Sequence, residues 1–312
     1  MKCDMDGILN ILKPAGMTSF DVVACLRGLL GIKKIGHAGT LDPMAVGVLP
    51  VCTGRATKAI EFMMDKDKHY RAELRLGVTT DTQDSTGNVL STCDVVCSDE
   101  EIEKAVASFE GKYMQLPPMY SALRVEGKRL YELAREGTRV ERKPREVEIY
   151  SSRMLYINRS DGVRVLLDVH CSKGTYIRTL CADIGQRLGC GGHMSFLLRQ
   201  RAGAFDIDSA YTLEQLSDMK EKGQVANAFS KVDYIFMELD SITLDETQEK
   251  RFRNAVAIDV SANIDSGEIP GYKGRHDKKY QVRVYSLEGN FIALGFLQPI
   301  EDKTYLKVRK FF

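Results

Sequence analysis

In the stretch GHAGTLDPMAVGVL, residues 36–49, a single carboxylate, Asp42, sits in a turn of small residues. Gly39 and Thr40 precede it, Pro43 follows it, and Ala45 and Gly47 lie just beyond. Pro43 biases Asp42 away from the helical region toward extended backbone. The flanking glycines permit close approaches that a Cβ would forbid, so a bulky ligand can come near the carboxylate. An ordinary Asp-Pro turn with a local side-chain hydrogen bond is the other reading of the same residues. A presented carboxylate can serve as nucleophile, as electrostatic partner of a cationic sugar, or as base. Glycoside hydrolysis typically pairs two carboxylates, and no second acid lies in this loop.

The elements that must hold this loop can be read in order. Gly7–Leu12 reads as a strand running into the turn Lys13-Pro14-Ala15-Gly16. Thr18 or Ser19 then caps a helix with Phe20, Val23, Ala24 and Leu30 at helical spacing. Beyond the loop, Thr57–Met64 reads as an amphipathic helix and Tyr70–Leu76 as an alternating strand. Asp81, Asp84 and Gly87 form a polar turn, read as solvated with side-chain caps in preference to a magnesium site. A helix over Ser98–Phe109 is capped by Ser98 or Asp99, with Glu101 and Glu103 in its first turn. Val147–Ile157 and Val163–Cys171 alternate like paired strands, and Tyr176–Leu188 reads as a helix.

Arg124–Arg145 carries eight basic residues against four acidic ones, interleaved with Tyr131 and glycines. Such a run suits either a solvated face or a surface that tracks a phosphate backbone. Lys13, in KPAGMTS, could support the floor beneath the Asp42 loop or bind phosphate, and it is not counted among the site residues. Past about residue 240 the texture changes to one short helix, Asp245–Arg253, then the loop GEIPGYKGRHDKK, then the strands YQVRVYS, FIALGFL and TYLKVRKFF. A small β-barrel is the natural expectation there.

With 312 residues, 44% of them hydrophobic, the chain can bury a sizeable core as one large domain with an appendage. A net charge of +1 leaves any nucleic-acid face to be sought locally. The N-terminus lacks an apolar core of signal-peptide length and no run approaches a membrane span, so a cytoplasmic protein is expected. Eight scattered cysteines without a CxxC pair suit buried free thiols in a reducing compartment; Cys190 and His193 are near each other, but the second pair that a structural zinc site needs is missing.

The run GHAGTLDPMAVGVLP closely resembles the signature of the TruB family of tRNA pseudouridine-55 synthases. NILKPAGMTSFDVV at 10–23, KHYRAELRLGVTTDTQDSTG at 68–87, PPMYSALRVEGKRLYELAREG at 117–137 and HCSKGTYIRTLCADIG at 170–185 agree with it in order and spacing. The resemblance implies that Asp42 is catalytic, that Arg178 pairs with it, and that Tyr70 stacks on the target base and assists at C5. It implies further that His37 contacts the flipped-out region of the RNA, and that Tyr176 and Leu197 line the uridine pocket. Read without it, Tyr70, Tyr176 and Leu197 are core residues, Arg178 a helix-end arginine and His37 a structural histidine.

The implied fold is α+β: a mixed, mostly antiparallel central sheet flanked by helices, with a small C-terminal PUA-like barrel. The catalytic domain would span 1–238, with an RNA-binding insertion at about 110–146, and the RNA-binding domain 239–312. The implied activity is isomerisation of the T-loop uridine of tRNA by a monomer that needs no cofactor, metal, membrane or obligatory protein partner. An RNA-guided synthase and a non-catalytic tRNA-folding chaperone are the alternatives. The long GKRLYELAREG region and the absence of lysine-rich tails favour the stand-alone enzyme over the guided one.

Overall fold

Alternation with a period of two builds the centre of the larger of two units in the computed structural model, which describes residues 5–121, 124–125, 128–129, 140–267, 269–272 and 280–312. Lys68–Leu76 buries every second residue from Lys68 to Leu76, and Val163–Cys171 does the same. Side chains in a strand point alternately to opposite faces, so each strand gives one face to a core. The larger unit comprises Leu9–Val51 and Glu61–Ala228.

Its main sheet contains β1 (Ile8–Lys13), β2 (Val46–Thr53), β3 (Lys68–Leu76), β4 (Gly111–Gln115), β5 (Arg145–Asn158), β6 (Val163–Cys171) and β7 (Gly192–Ala202). Across the sheet they run β1-β2-β7-β3-β6-β5-β4. β7 meets β2 in parallel at Leu198–Val46 and Arg199–Gly47, whereas β7-β3, β3-β6, β6-β5 and β5-β4 are antiparallel. This is the mixed, mostly antiparallel sheet that the sequence led us to expect.

Helices α1 (Ser19–Leu30), α2 (Asp99–Ala107) and α3 (Ile177–Arg187) belong to the same unit. Capping boxes start the first two: Thr18 with Asp21, and Ser98 with Glu101. The inward face of α1 differs from expectation. Val22, Val23, Leu26 and Leu30 are buried, while Ala24 is exposed and Phe20 is 63% exposed, with the Arg27 guanidinium over its ring. The 22/23, 26, 30 spacing makes a continuous apolar stripe that position 20 would leave. The stretch expected as one helix over 57–64 divides into a 3-10 turn, Gly54–Ala59, and a short helix, Ile60–Met64. Most of the basic run 124–145 and of the loop 267–279 lies outside the described residues.

The other unit gathers Cys52–Ile60, Phe229–Phe312 and the N-terminal run through Ile8. Strands β8 (Ser241–Leu244), β9 (Ile258–Asp259), β10 (Tyr280–Ser286), β11 (Phe291–Ile300) and β12 (Lys303–Phe311) form a curled half-barrel in the order β8-β10-β11-β12-β9. Ile242, Leu244, Phe252, Val282, Val284 and Leu306 fill its core. Helix α4 (Glu246–Arg253) is capped by Asp245 and Gln248. Among the described residues no helix is long and apolar enough to cross a membrane.

Candidate active site

The Asp42 loop is held through its backbone. Ser19, at the first position of α1, donates from Oγ to the Leu41 carbonyl at 3.2 Å and accepts the Leu41 N–H at 2.9 Å. The Pro43 carbonyl receives the Gly16 N–H at 2.8 Å and Lys13 Nζ at 3.3 Å. Lys13 is fully buried; its ammonium also donates to the Pro14 and Met17 carbonyls, and burial pulls its pKa down to about 8. The Ala45 N–H closes the turn on the Asp42 carbonyl at 3.1 Å. On the far side, Arg199 donates from Nε to the Val48 carbonyl at 2.7 Å, from Nη2 to Gly39 at 3.0 Å and from Nη1 to Thr40 at 3.4 Å. Gly47 lies so close to the Arg199 backbone that a Cβ there would stand 2.2 Å from the Arg199 carbonyl oxygen.

With its backbone tied down, Asp42 turns its carboxylate to Arg178, at the start of α3. Nε of Arg178 lies 3.0 Å from Oδ2, and Nη2 lies 3.4 Å from Oδ1. This two-pronged pairing fixes orientation as well as distance. The guanidinium is 6% exposed and the carboxylate 37% exposed, so the acid is the member of the pair that a substrate can reach. Arg178 also donates from Nη1 to Asp84 Oδ2 and the Thr82 carbonyl, both at 3.2 Å, and from Nη2 to the Tyr120 carbonyl at 2.7 Å.

Asp84 therefore corrects the expectation of a solvated turn. Its side chain is buried, and Oδ1 accepts from Thr82 Oγ1 at 2.8 Å and from the Thr86 N–H at 2.9 Å. Asp81 does behave as a cap, accepting the Asn88 N–H at 2.8 Å. At Asp42 the Arg178 guanidinium favours the charged carboxylate, yet burial raises its pKa above the ordinary carboxylate value. Arg178 and Lys13 oppose that rise and the Asp84 charge adds to it, so desolvation prevails over the neighbouring cation.

Tyr70 lies on β3 directly across from Arg199 on β7. Its ring belongs to the same apolar cluster as Leu41, Ala45, Ile177 and Leu197, and burial pushes its phenol up. Tyr176 caps α3 with its backbone clasped by Gln115, whose Oε1 accepts the Tyr176 N–H at 2.8 Å and whose Nε2 donates to the Tyr176 carbonyl at 3.1 Å. Its phenol is raised by burial, with Arg178 and Asp42 in its surroundings. His37 lies at the upstream root of the loop, half-buried near Arg199, and burial lowers its pKa. Its Nδ1 is buried without a hydrogen-bond partner among the described residues. Arg178 thus pairs with Asp42, the Asp42 charge reaches the phenols of Tyr70 and Tyr176, Leu197 shares the apolar cluster of Tyr70, and His37 neighbours Arg199.

Arg199, Asp84 and Ser19 are the residues that sequence reasoning missed. Arg199 had a signal: in FLLRQR it shares strand parity with Leu197, which puts a charge on the inward face. Residues 27–177 match the TruB family pseudouridylate synthase N-terminal domain, and residues 178–244 the tRNA pseudouridylate synthase B C-terminal domain. A protein of Alkaliphilus oremlandii named tRNA pseudouridine synthase B is 45% identical over 97% of this chain and 97% of its own. The chain belongs to the TruB family. A Clostridioides difficile relative of the same name is 43% identical over 99% of this chain and 100% of its own. Among solved structures, the archaeal box H/ACA sRNP Nop10-Cbf5 complex contains a chain with TM-score 0.70 and 26% identity, aligned over 99% of this chain and 86% of that one. An H/ACA RNP bound to a substrate RNA containing 2'-deoxyuridine gives TM-score 0.72 at 26% identity, over 99% and 86%. The ion pair joins the two TruB matches, Asp42 coming from the first and Arg178 from the residue that opens the second.

Proposed function

We propose that this chain isomerises uridine to pseudouridine in tRNA, at position 55 of the T loop, with Asp42 as the catalytic residue. The observation that carries this is the reachable Asp42 carboxylate, gripped at 3.0 and 3.4 Å by a buried arginine in a loop fixed on both sides. The reaction breaks N1–C1′, rotates the base, closes C5–C1′, and moves one proton from C5 to N1. Nothing is oxidised and no group is added, so side chains suffice and no cofactor is called for. Arg178 aims the carboxylate and offsets part of its burial cost. Tyr70 offers its ring to the flipped base, and aromatic stacking is worth about 1–3 kcal/mol per base. That offsets much of the few kcal/mol needed to unstack a nucleotide. Tyr176 and Leu197 wall the pocket, and His37 meets the RNA beside the loop. The step Asp42 takes, attack on sugar or base or removal of a sugar proton, is the same demand on geometry: an ionised oxygen facing the ribose–base link.

In this reading residues 1–238 form the catalytic domain, with an RNA-binding insertion at about 110–146, and 239–312 a PUA-like RNA-binding domain. The protein works as a cytoplasmic monomer on the T-arm. The relatives named tRNA pseudouridine synthase B are 41–48% identical, against 26–27% for the chains from H/ACA assemblies, which favours an enzyme that needs no guide. Incubating the purified chain alone with a tRNA transcript and mapping pseudouridine tests this. Product at the T-loop uridine is expected; binding without product would leave a tRNA-folding chaperone, and product only with added guide RNA a guided enzyme.

A further inference from the structure

We propose that Arg199 is a positioning residue for this reaction: one buried guanidinium holds both flanks of the Asp42 loop and the Tyr70 phenol in a single frame. The inference rests on reading Asp42 and Tyr70 as the groups that face the nucleotide.

Arg199 is 1% exposed, and among the described residues no carboxylate pairs with it. A buried charge without a counter-ion is costly unless its donors are satisfied. Here they are satisfied by carbonyls, and the choice of carbonyls is informative. Gly39 and Thr40 stand just before Asp42 and Val48 stands after it, so a single planar group spans the loop's two arms. A guanidinium presents a rigid fork of donors, which a lysine ammonium cannot reproduce.

The same residue is the cross-strand neighbour of Tyr70. Gly47 lets the two backbones close on each other, since a Cβ there would meet the Arg199 carbonyl. The groups facing the phenol are Arg199 from β7, Cys171 from β6 and Asp42 from the loop, and Arg199 is the cation among them. Lys13, His37 and Lys68 lie within electrostatic reach of the guanidinium, and none of them is an acid. A fixed cation beside a phenol favours release of its proton. Arg199 thus sets where the carboxylate sits relative to the phenol and how readily that phenol parts with its proton.

The test is single-turnover pseudouridine formation on a tRNA transcript by the full chain, Arg199→Lys and Arg199→Gln, followed across pH with thermal melting and tRNA affinity alongside. Arg199→Lys keeps the charge but loses the fork, so its rate should fall by roughly 10-fold to 100-fold, as a displacement of about 1 Å would cause, with affinity unchanged and the pH profile in place. Arg199→Gln, which removes the cation beside the phenol, should also move the limb of the profile that reports Tyr70 to higher pH. Identical profiles in all three proteins would overturn the proposal. So would rate losses that merely follow a drop in melting temperature, or failure of both variants to fold. An unmodified chain that forms no pseudouridine would instead sink the proposed function.

Discussion

Asp42 is subject to opposing influences: burial and the Asp84 charge raise its pKa, whereas Arg178 and Lys13 lower it, and burial prevails. Only the ionised form pairs with Arg178, so activity should be lost as pH falls through a value above the about 3.9 of an ordinary aspartate. Because the Asp84 charge is one cause of the rise, Asp84→Asn should shift this acid limb to lower pH, read from single-turnover rates. The same change leaves a buried guanidinium with one acid instead of two. Unfolding free energy should drop by about 3 kcal/mol, the lower end for breaking a buried pair, because Asp42 remains. Denaturant titration measures it. Asp42→Asn, which preserves the shape of the loop, should abolish turnover while tRNA affinity persists; retained turnover above a trace would contradict the assignment.

At the scale of elements, the loop depends on α1 and on the β2-β7 approach. The Thr18 capping box starts α1, and the next residue, Ser19, holds Leu41. Thr18→Ala should cost about 1 kcal/mol of stability in a denaturant series. Gly47 adopts a φ of 117° against the Arg199 backbone. Gly47→Ala strains that conformation and pushes the strands apart, so it should destabilise by more than about 1 kcal/mol and reduce turnover as well. These elements were visible in the sequence because their signals are local: a Thr three residues before an Asp, and apolar residues alternating from Lys68 to Leu76. The inward face of α1 was less legible, since Phe20 competes with Val22 and Leu26 for a place that only packing assigns.

For the whole molecule, a titrating acid and the C-terminal unit carry the predictions. Asp183 in α3 is half-buried, and burial pushes its pKa up to about 6. Its folded pKa exceeds its unfolded one, so the folded state holds the proton more tightly and stability falls as pH rises from about 4 through 6. Asp183→Asn should remove that decline, giving melting temperatures less sensitive to pH over this window. Truncation after residue 238 should weaken tRNA binding and flatten its salt dependence more than it alters the chemical step; unchanged binding would remove the case for an RNA-binding tail.

By itself the sequence determined the Asp42 loop, the caps, the alternating strands and the pairing partner of the acid, because each is written in neighbouring residues or in a family motif. Tertiary structure alone decided that Asp84 is buried on Arg178, that Arg199 spans the loop, and that Asp42 is raised rather than lowered. The physical reason is that the cost of a buried charge depends on every atom that displaces water around it. Those atoms come from segments more than a hundred residues apart in the chain, as Asp42 and Arg178 do.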